Sequence, residues 1–238
     1  MLVNNTPPLV MSCFVISIVL MNILAGKELF TTGTLAFDCG FTISWLPCLF
    51  MDALCKRYGA KASFMLSLTA IGINFAICLI FFLLSLAPGH WGAYYATLES
   101  IPAAAPSVDE ALNTTLGGSW YIVSGSLFAL SVGSGVNAVI NHLIARHLKR
   151  DDFRAFALRS YISTGIAQFV DNLLFAIVVS HVLFGWSWTQ MLSCAGIAAA
   201  FELFCEIVAS PLGYKAVRHW EKHSIGQEYI DFIQKKTN

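Results

Sequence analysis

Ile43-Ser-Trp-Leu-Pro-Cys-Leu-Phe-Met-Asp-Ala-Leu54 and Ile162-Ser-Thr-Gly-Ile-Ala-Gln-Phe-Val-Asp-Asn-Leu173 are two versions of one pattern. Ile43, Ser44, Phe50, Asp52 and Leu54 recur as Ile162, Ser163, Phe169, Asp171 and Leu173, at an offset of half the 238-residue chain. Each copy sets an acid within or against a long apolar run. A carboxylate in lipid is costly, so both acids are functional candidates.

The surroundings of these stretches fix the class. Hydrophobic residues make up 57% of the chain and charged residues 12%, against roughly 45–50% and about 25% in soluble domains. The chain therefore reads as an all-α integral membrane protein. Its seven cysteines lie in or beside apolar runs and form no CxxC, so they read as small core residues, not disulfides or a metal site.

Six spans follow in order, at about residues 8–25, 40–55, 62–86, 120–144, 155–184 and 188–212, with the second broken by Pro47. The first has no basic n-region and no small-residue cleavage site, and reads as a retained helix. Spans of about 20 residues fit a hydrocarbon core of about 30 Å. One membrane domain fills residues 1–238, with halves at about 8–87 and 118–212, an outer loop at 88–117 and a charged amphipathic tail at 213–238. The loop is acidic and free of Lys and Arg, and Ser107-Val-Asp-Glu110 resembles a capping box that opens a short helix. Gly125, Ala129 and Gly133 form a small-residue stripe that lets another helix come close, continued by Asn137 and Asn141.

Thirteen of the fourteen Lys and Arg fall on one side if both termini are cytoplasmic, leaving Lys27 outside. That orientation follows the basic residues. Spans two and five then run in opposite directions, which is the expectation for an inverted repeat of three plus three helices with its site at the repeat interface.

Several polar residues lie where chemistry is possible. Thr164, Gln168, Asp171 and Phe175 share one helical face, as the wall of a polar cavity or a helix-to-helix contact. Asp52 has Lys56 one turn away, so a simple ion pair is open to it. Glu202 and Glu206 also share a face. Two like charges in low dielectric repel unless one holds a proton or a cation lies beside them; Lys27, Lys56 or a cationic substrate would serve. Asn22 is placed for a helix-to-helix hydrogen bond. Trp45, Trp120, Trp186, Trp188 and Tyr121 suit an interfacial belt, and Trp45 also suits stacking on a planar ligand. No Walker A loop or HExxH occurs. Val132 stands where an intramembrane serine protease needs glycine, and span six has no histidine. These points argue against an enzyme.

Four motifs carry a family resemblance: Asn22-Ile-x-Ala25-x-Lys27; Asp52-x5-Tyr58-Gly59; Arg159-x3-Ser163-Thr164-x3-Gln168-x2-Asp171 with Phe175; and Glu206-x4-Pro211-x2-Tyr214. Together they resemble the vitamin-uptake-type queuosine precursor transporters of bacteria. The resemblance implies six helices in the inner membrane and uptake of a 7-deazaguanine such as preQ0, preQ1 or queuine for tRNA modification. The candidate substrate-binding set is Asn22, Lys27, Trp45, Asp52, Gln168, Asp171, Glu202 and Glu206. One carboxylate accepts the base's N1–H and N2 amine as a pair, and a second acid pairs the side-chain amine of preQ1 or queuine. Expected partners are membrane lipid, the nucleobase-like substrate and a second copy of the chain, with no cofactor, metal or nucleic acid.

Two departures stand out. Many relatives have an acid at the position of Lys56 and a lysine at that of Glu202; the reversal marks either a charge-swapped pair, which is the expectation here, or a different substrate. Asn137 stands where a more acidic pattern is expected. Three other functions compete. One is the substrate-binding subunit of an energy-coupling-factor importer, disfavoured because span one holds only Ala25 of an Ala-x3-Ala stripe. The others are a secondary transporter of another heterocycle and a non-transporting scaffold.

Overall fold

Pro7-Pro8 starts the first long helix because a proline in the first turn gives up an N–H that has no partner there. That helix, α2, covers Pro8–Leu24 after a single turn α1 at Leu2–Asn5. The computed structural model describes residues 2–89, 91, 108–147 and 153–237. Two short strands follow, β1 (Glu28–Thr31) and β2 (Ala36–Asp38), paired antiparallel with Glu28 opposite Asp38 and Thr31 opposite Ala36. The remaining helices are α3 (Trp45–Tyr58), α4 (Ala60–Ser85), α5 (Val108–Gly117), α6 (Ser119–His147), α7 (Phe153–Phe175), α8 (His181–Phe184), α9 (Trp188–Lys222) and α10 (Gln227–Thr237).

By length and composition, four segments are apolar enough to cross a bilayer: Lys61–Ser85, Asp109–Asn137, Tyr161–Phe184 and Trp188–Lys222. Pro8–Leu24 is a shorter apolar helix. The chain is therefore a helical multi-pass membrane protein, and its outward faces bear the hydrophobic residues that lipid would cover, such as Leu79, Ile80, Leu83 and Leu84 on α4.

Helices α3, α4, α6, α7 and α9 form a closed ring, each packed on the next and α9 closing on α3. Helix α2 packs against α3, α4 and α6. The small-residue stripe does what its spacing predicts. Ala129 is fully buried, and a Cβ on Gly133 would lie 3.0 Å from the Asp171 Cβ. A Cβ on Gly125 would collide with Val179. These residues bring α6 against α7 and the wider π turn, Ala176–Ser180, that continues it. Tyr121 donates its hydroxyl proton to the Val178 carbonyl in that turn at 2.6 Å, satisfying an acceptor where the regular ladder is interrupted.

Four features depart from expectation. Residues 28–38 form a hairpin where the sequence suggests only a connection. Pro47 does not break the second helix: it lies in the first turn of α3, where a missing N–H costs little. Span six runs on to Lys222 with Pro211 inside it. Trp186 is not an interfacial anchor but is only 1% exposed. The short helix of the outer loop begins at Val108, while its expected cap Ser107, most of that loop, and the side chains of Asn141, Arg146 and Arg159 lie outside the described residues.

The tail folds back. Gly226 (φ +74°) turns the chain into α10, and Arg57 donates to the Ile225 carbonyl at 2.7 and 3.1 Å. Tyr58 donates to the Asn5 carbonyl at 2.8 Å, and Tyr229 joins the cluster of Phe14, Leu54, Tyr58 and Leu66. The bundle thus has a tail end and, opposite, a hairpin end.

Candidate functional site

A cavity of about 150 Å³ lies inside the ring, bounded by α2, α3, α4, α6, α7, α9 and the hairpin. An engineered cavity of about this size accepts a small ring compound. The hairpin end is shaped by close backbone packing. Asp38 caps the 3₁₀ turn Cys39–Thr42, accepting from the Phe41 N–H at 3.1 Å. Gly40 is required there, because a Cβ would sit 2.6 Å from the Met21 carbonyl. The Trp186 indole N–H donates to Glu28 Oε1 at 2.7 Å, and Gln190 Nε2 donates to the Thr32 carbonyl at 2.7 Å. These two bonds fasten the hairpin to the start of α9, whose first turn closes a capping box between Ser187 and Gln190. Phe41 packs between Phe37 and Phe201, with ring centroids 4.6 and 4.9 Å apart.

The lining is mostly apolar with a small polar set. Asp38, Asp171 and Glu202 line it, with Asn22, Gln168, Asn172, Ser44, Ser67, Ser126 and Ser180; among the described residues no Lys, Arg or His does so. The three acids differ in what holds them. Asp38 accepts backbone amides from Phe41 and Gly40, and burial nevertheless pushes its carboxyl up to about 7. Glu202 accepts from Asn172 Nδ2 at 3.0 Å and lies within hydrogen-bonding reach of the Ser44 hydroxyl, which also meets the Phe41 carbonyl at 3.1 Å. Asp171 Oδ1 is buried without a partner among the described residues, and so are Asn22 Oδ1, Gln168 Oε1 and Ser180 Oγ. A buried acceptor left unpaired costs about 1–3 kcal/mol, so four of them around one space indicate that an occupant completes the site.

Of the eight residues singled out from the sequence, Asn22, Gln168, Asp171 and Glu202 come together at this cavity. The other four do not. Lys27 begins the hairpin with its side chain exposed. Trp45 donates its indole N–H to the Thr42 carbonyl at 3.2 Å and does not line the cavity. Asp52 and Glu206 lie one turn nearer the tail end than the lining residues Cys48 and Glu202, and interact with each other. The expected Lys56–Glu202 pair is not formed: Lys56 is exposed and its electrostatic neighbours are Cys55 and Glu206. Cys48 lies within electrostatic reach of Asp52, Asp171, Glu202 and Glu206.

Sequence reasoning missed Asp38, Asn172 and Trp186. Asn172 was within reach, since it stands four residues after Gln168 and so on the same helical face. Asp38 and Trp186 had no comparable signal, because their burial depends on the hairpin.

A helical membrane bundle enclosing a small, acid-lined cavity is the architecture of a small-molecule transporter. The family model described as "putative vitamin uptake transporter" matches residues 38–216, a stretch that holds most of the lining from Asp38 to Glu202. The chain belongs to this vitamin uptake transporter family, a family of transporters and not of enzymes. No curated protein and no solved structure matches the chain.

Proposed function

We propose that this transporter imports a queuosine precursor, a 7-deazaguanine such as preQ0, preQ1 or queuine, and binds it in the cavity between α2, α7 and α9. The observation that carries the reading is the set of unpaired acceptors, Asn22 Oδ1, Gln168 Oε1 and Asp171 Oδ1, beside the oriented Glu202 carboxylate. A deazaguanine offers N1–H and the N2 amine side by side, which suits a carboxylate held in a fixed orientation. The base's plane suits the aromatic edges of Phe41 and Phe175 in the lining. Asp52 and Glu206 form a second acidic station on the path towards the tail end.

The arrangement proposed for the whole chain is six crossings, with Pro8–Leu24 and Trp45–Tyr58 as the two shorter ones, and both termini in the cytoplasm of a bacterial inner membrane. An inverted repeat of three plus three helices is supported by the echo of Asp52 and Asp171 and by the distribution of basic residues. Pairing with a second copy of the chain belongs to the same reading.

The test is uptake of preQ1 and queuine by queuosine-deficient cells that express this chain, read out as queuosine in tRNA. Restored modification is expected, and Asp171→Asn is expected to abolish rescue by preQ1 at unchanged membrane expression. No modification with either base would overturn the substrate assignment.

A further inference from the structure

We infer that the cavity selects a substrate bearing a protonated amine, and that Asp171 is the counter-ion of that amine. The inference rests on the reading of the cavity as the substrate site and goes further by dividing its acids between two roles. Three carboxyl groups line the space and, among the described residues, no basic side chain does. Two of the three are already engaged by neutral donors: Asp38 by the Phe41 backbone amide at 3.1 Å, and Glu202 by Asn172 at 3.0 Å. Asp171 Oδ1 has no partner among the described residues.

The groups around Asp171 repeat the same need. Gln168, one turn earlier on α7, presents an unpaired Oε1 and is 9% exposed. Asn22 on α2 presents an unpaired Oδ1 and is 3% exposed. Ser180 Oγ, also unpaired, is 1% exposed. All four are oxygens lining one cavity. An ammonium group has three donors and a charge, and it matches a carboxylate supported by neutral oxygens. A neutral nitrile on the same ring has no donor and leaves these acceptors unpaired, so it binds less tightly than the amine. Asn172 serves the second role, that of Glu202. Its amide holds Glu202 and also donates to the Gln168 carbonyl at 2.9 Å, so Glu202 is fixed in place before any ligand arrives. A fixed carboxylate suits the rigid edge of a ring, and a free one suits an amine on a flexible arm.

Two probes with the same ring separate these roles: preQ1, which carries an aminomethyl group, and preQ0, which carries a nitrile. Equilibrium binding to the purified full-length protein is measured for both, with thermal unfolding as the check that each variant is folded. The wild type is expected to bind the amine by about tenfold or more over the nitrile. Asp171→Asn is expected to erase that preference, and Glu202→Gln to weaken both probes alike. Equal binding of the two probes by the wild type, or an undiminished preference in Asp171→Asn, overturns the amine assignment and leaves the deazaguanine reading standing. A preference for preQ1 that vanishes when sodium is replaced by a large organic cation assigns the oxygens to a metal ion and overturns it as well. Neither probe binding to folded wild type overturns the deazaguanine reading and takes the amine assignment with it.

Discussion

Asp38 is the acid in the lining that belongs to the hairpin, and its environment has a consequence for pH. Burial raises its carboxyl from 3.8 to about 7 against the pull of its backbone amide bonds. The folded protein therefore holds that proton more tightly than the unfolded chain. The stability this contributes is complete below the unfolded value and is lost as pH rises through about 7. Asp38→Asn keeps an oxygen for the Phe41 amide and removes the titration, so thermal unfolding followed from pH 4 to pH 8 should show a flatter profile than wild type. A mutant with the wild-type slope would mean that other groups set the pH dependence. At this scale the sequence was half legible. An acid in an apolar helix declares itself by its cost, which is why Asp171 and Glu202 stood out. Asp38 lies in a polar, threonine-rich connection, where an acid is unremarkable until the fold buries it. Lys27 and Trp45 misled for the converse reason: proximity in sequence to Asn22 or Asp52 says nothing about which side of a helix end a side chain leaves by.

The helical elements were legible because apolar length and small-residue spacing are local properties. The hairpin was not, since strands of four and three residues carry too little periodicity to register and depend on Trp186 and Gln190 for their attachment. Pro47 shows a related limit: whether a proline breaks a helix or opens it depends on where the helix starts. The contact between α6 and the π turn after α7 tests the stripe directly. In Gly125→Ala the new methyl meets the branched Val179 side chain, which is fully buried and has no room to yield. Overpacking of this kind costs about 1–3 kcal/mol, and a lower unfolding temperature with reduced uptake is expected. Gly135→Ala, on the same helix with open space around its Cβ, serves as the control and should match or slightly exceed wild type. Equal behaviour of the two variants would refute close packing at Gly125.

Across the whole molecule, the tail is tied to the far end of the bundle by Arg57 and by the turn at Gly226 (φ +74°), where a side chain would strike the Tyr58 ring and the Asn5 carbonyl. Arg57→Ala removes its donors to Ile225 and Gln227. Amide exchange in residues 225–235 should then rise, while the fold of the ring and the cavity persist; unchanged protection of that segment would show that Tyr229 packing alone holds it. Charge and amphipathicity made the tail visible in the sequence, but its docking needs partners from α1 and α3 that lie far away along the chain. All seven cysteines are free, and two of them, Cys48 in the first turn of α3 and Cys194 in the second turn of α9, line the same space. Their positions equip the protein with two thiol reporters in one cavity. In chains retaining only one of them, a small maleimide should modify either thiol while the cavity is empty. Bound substrate should slow both reactions, so the rates of alkylation would follow occupancy of the cavity.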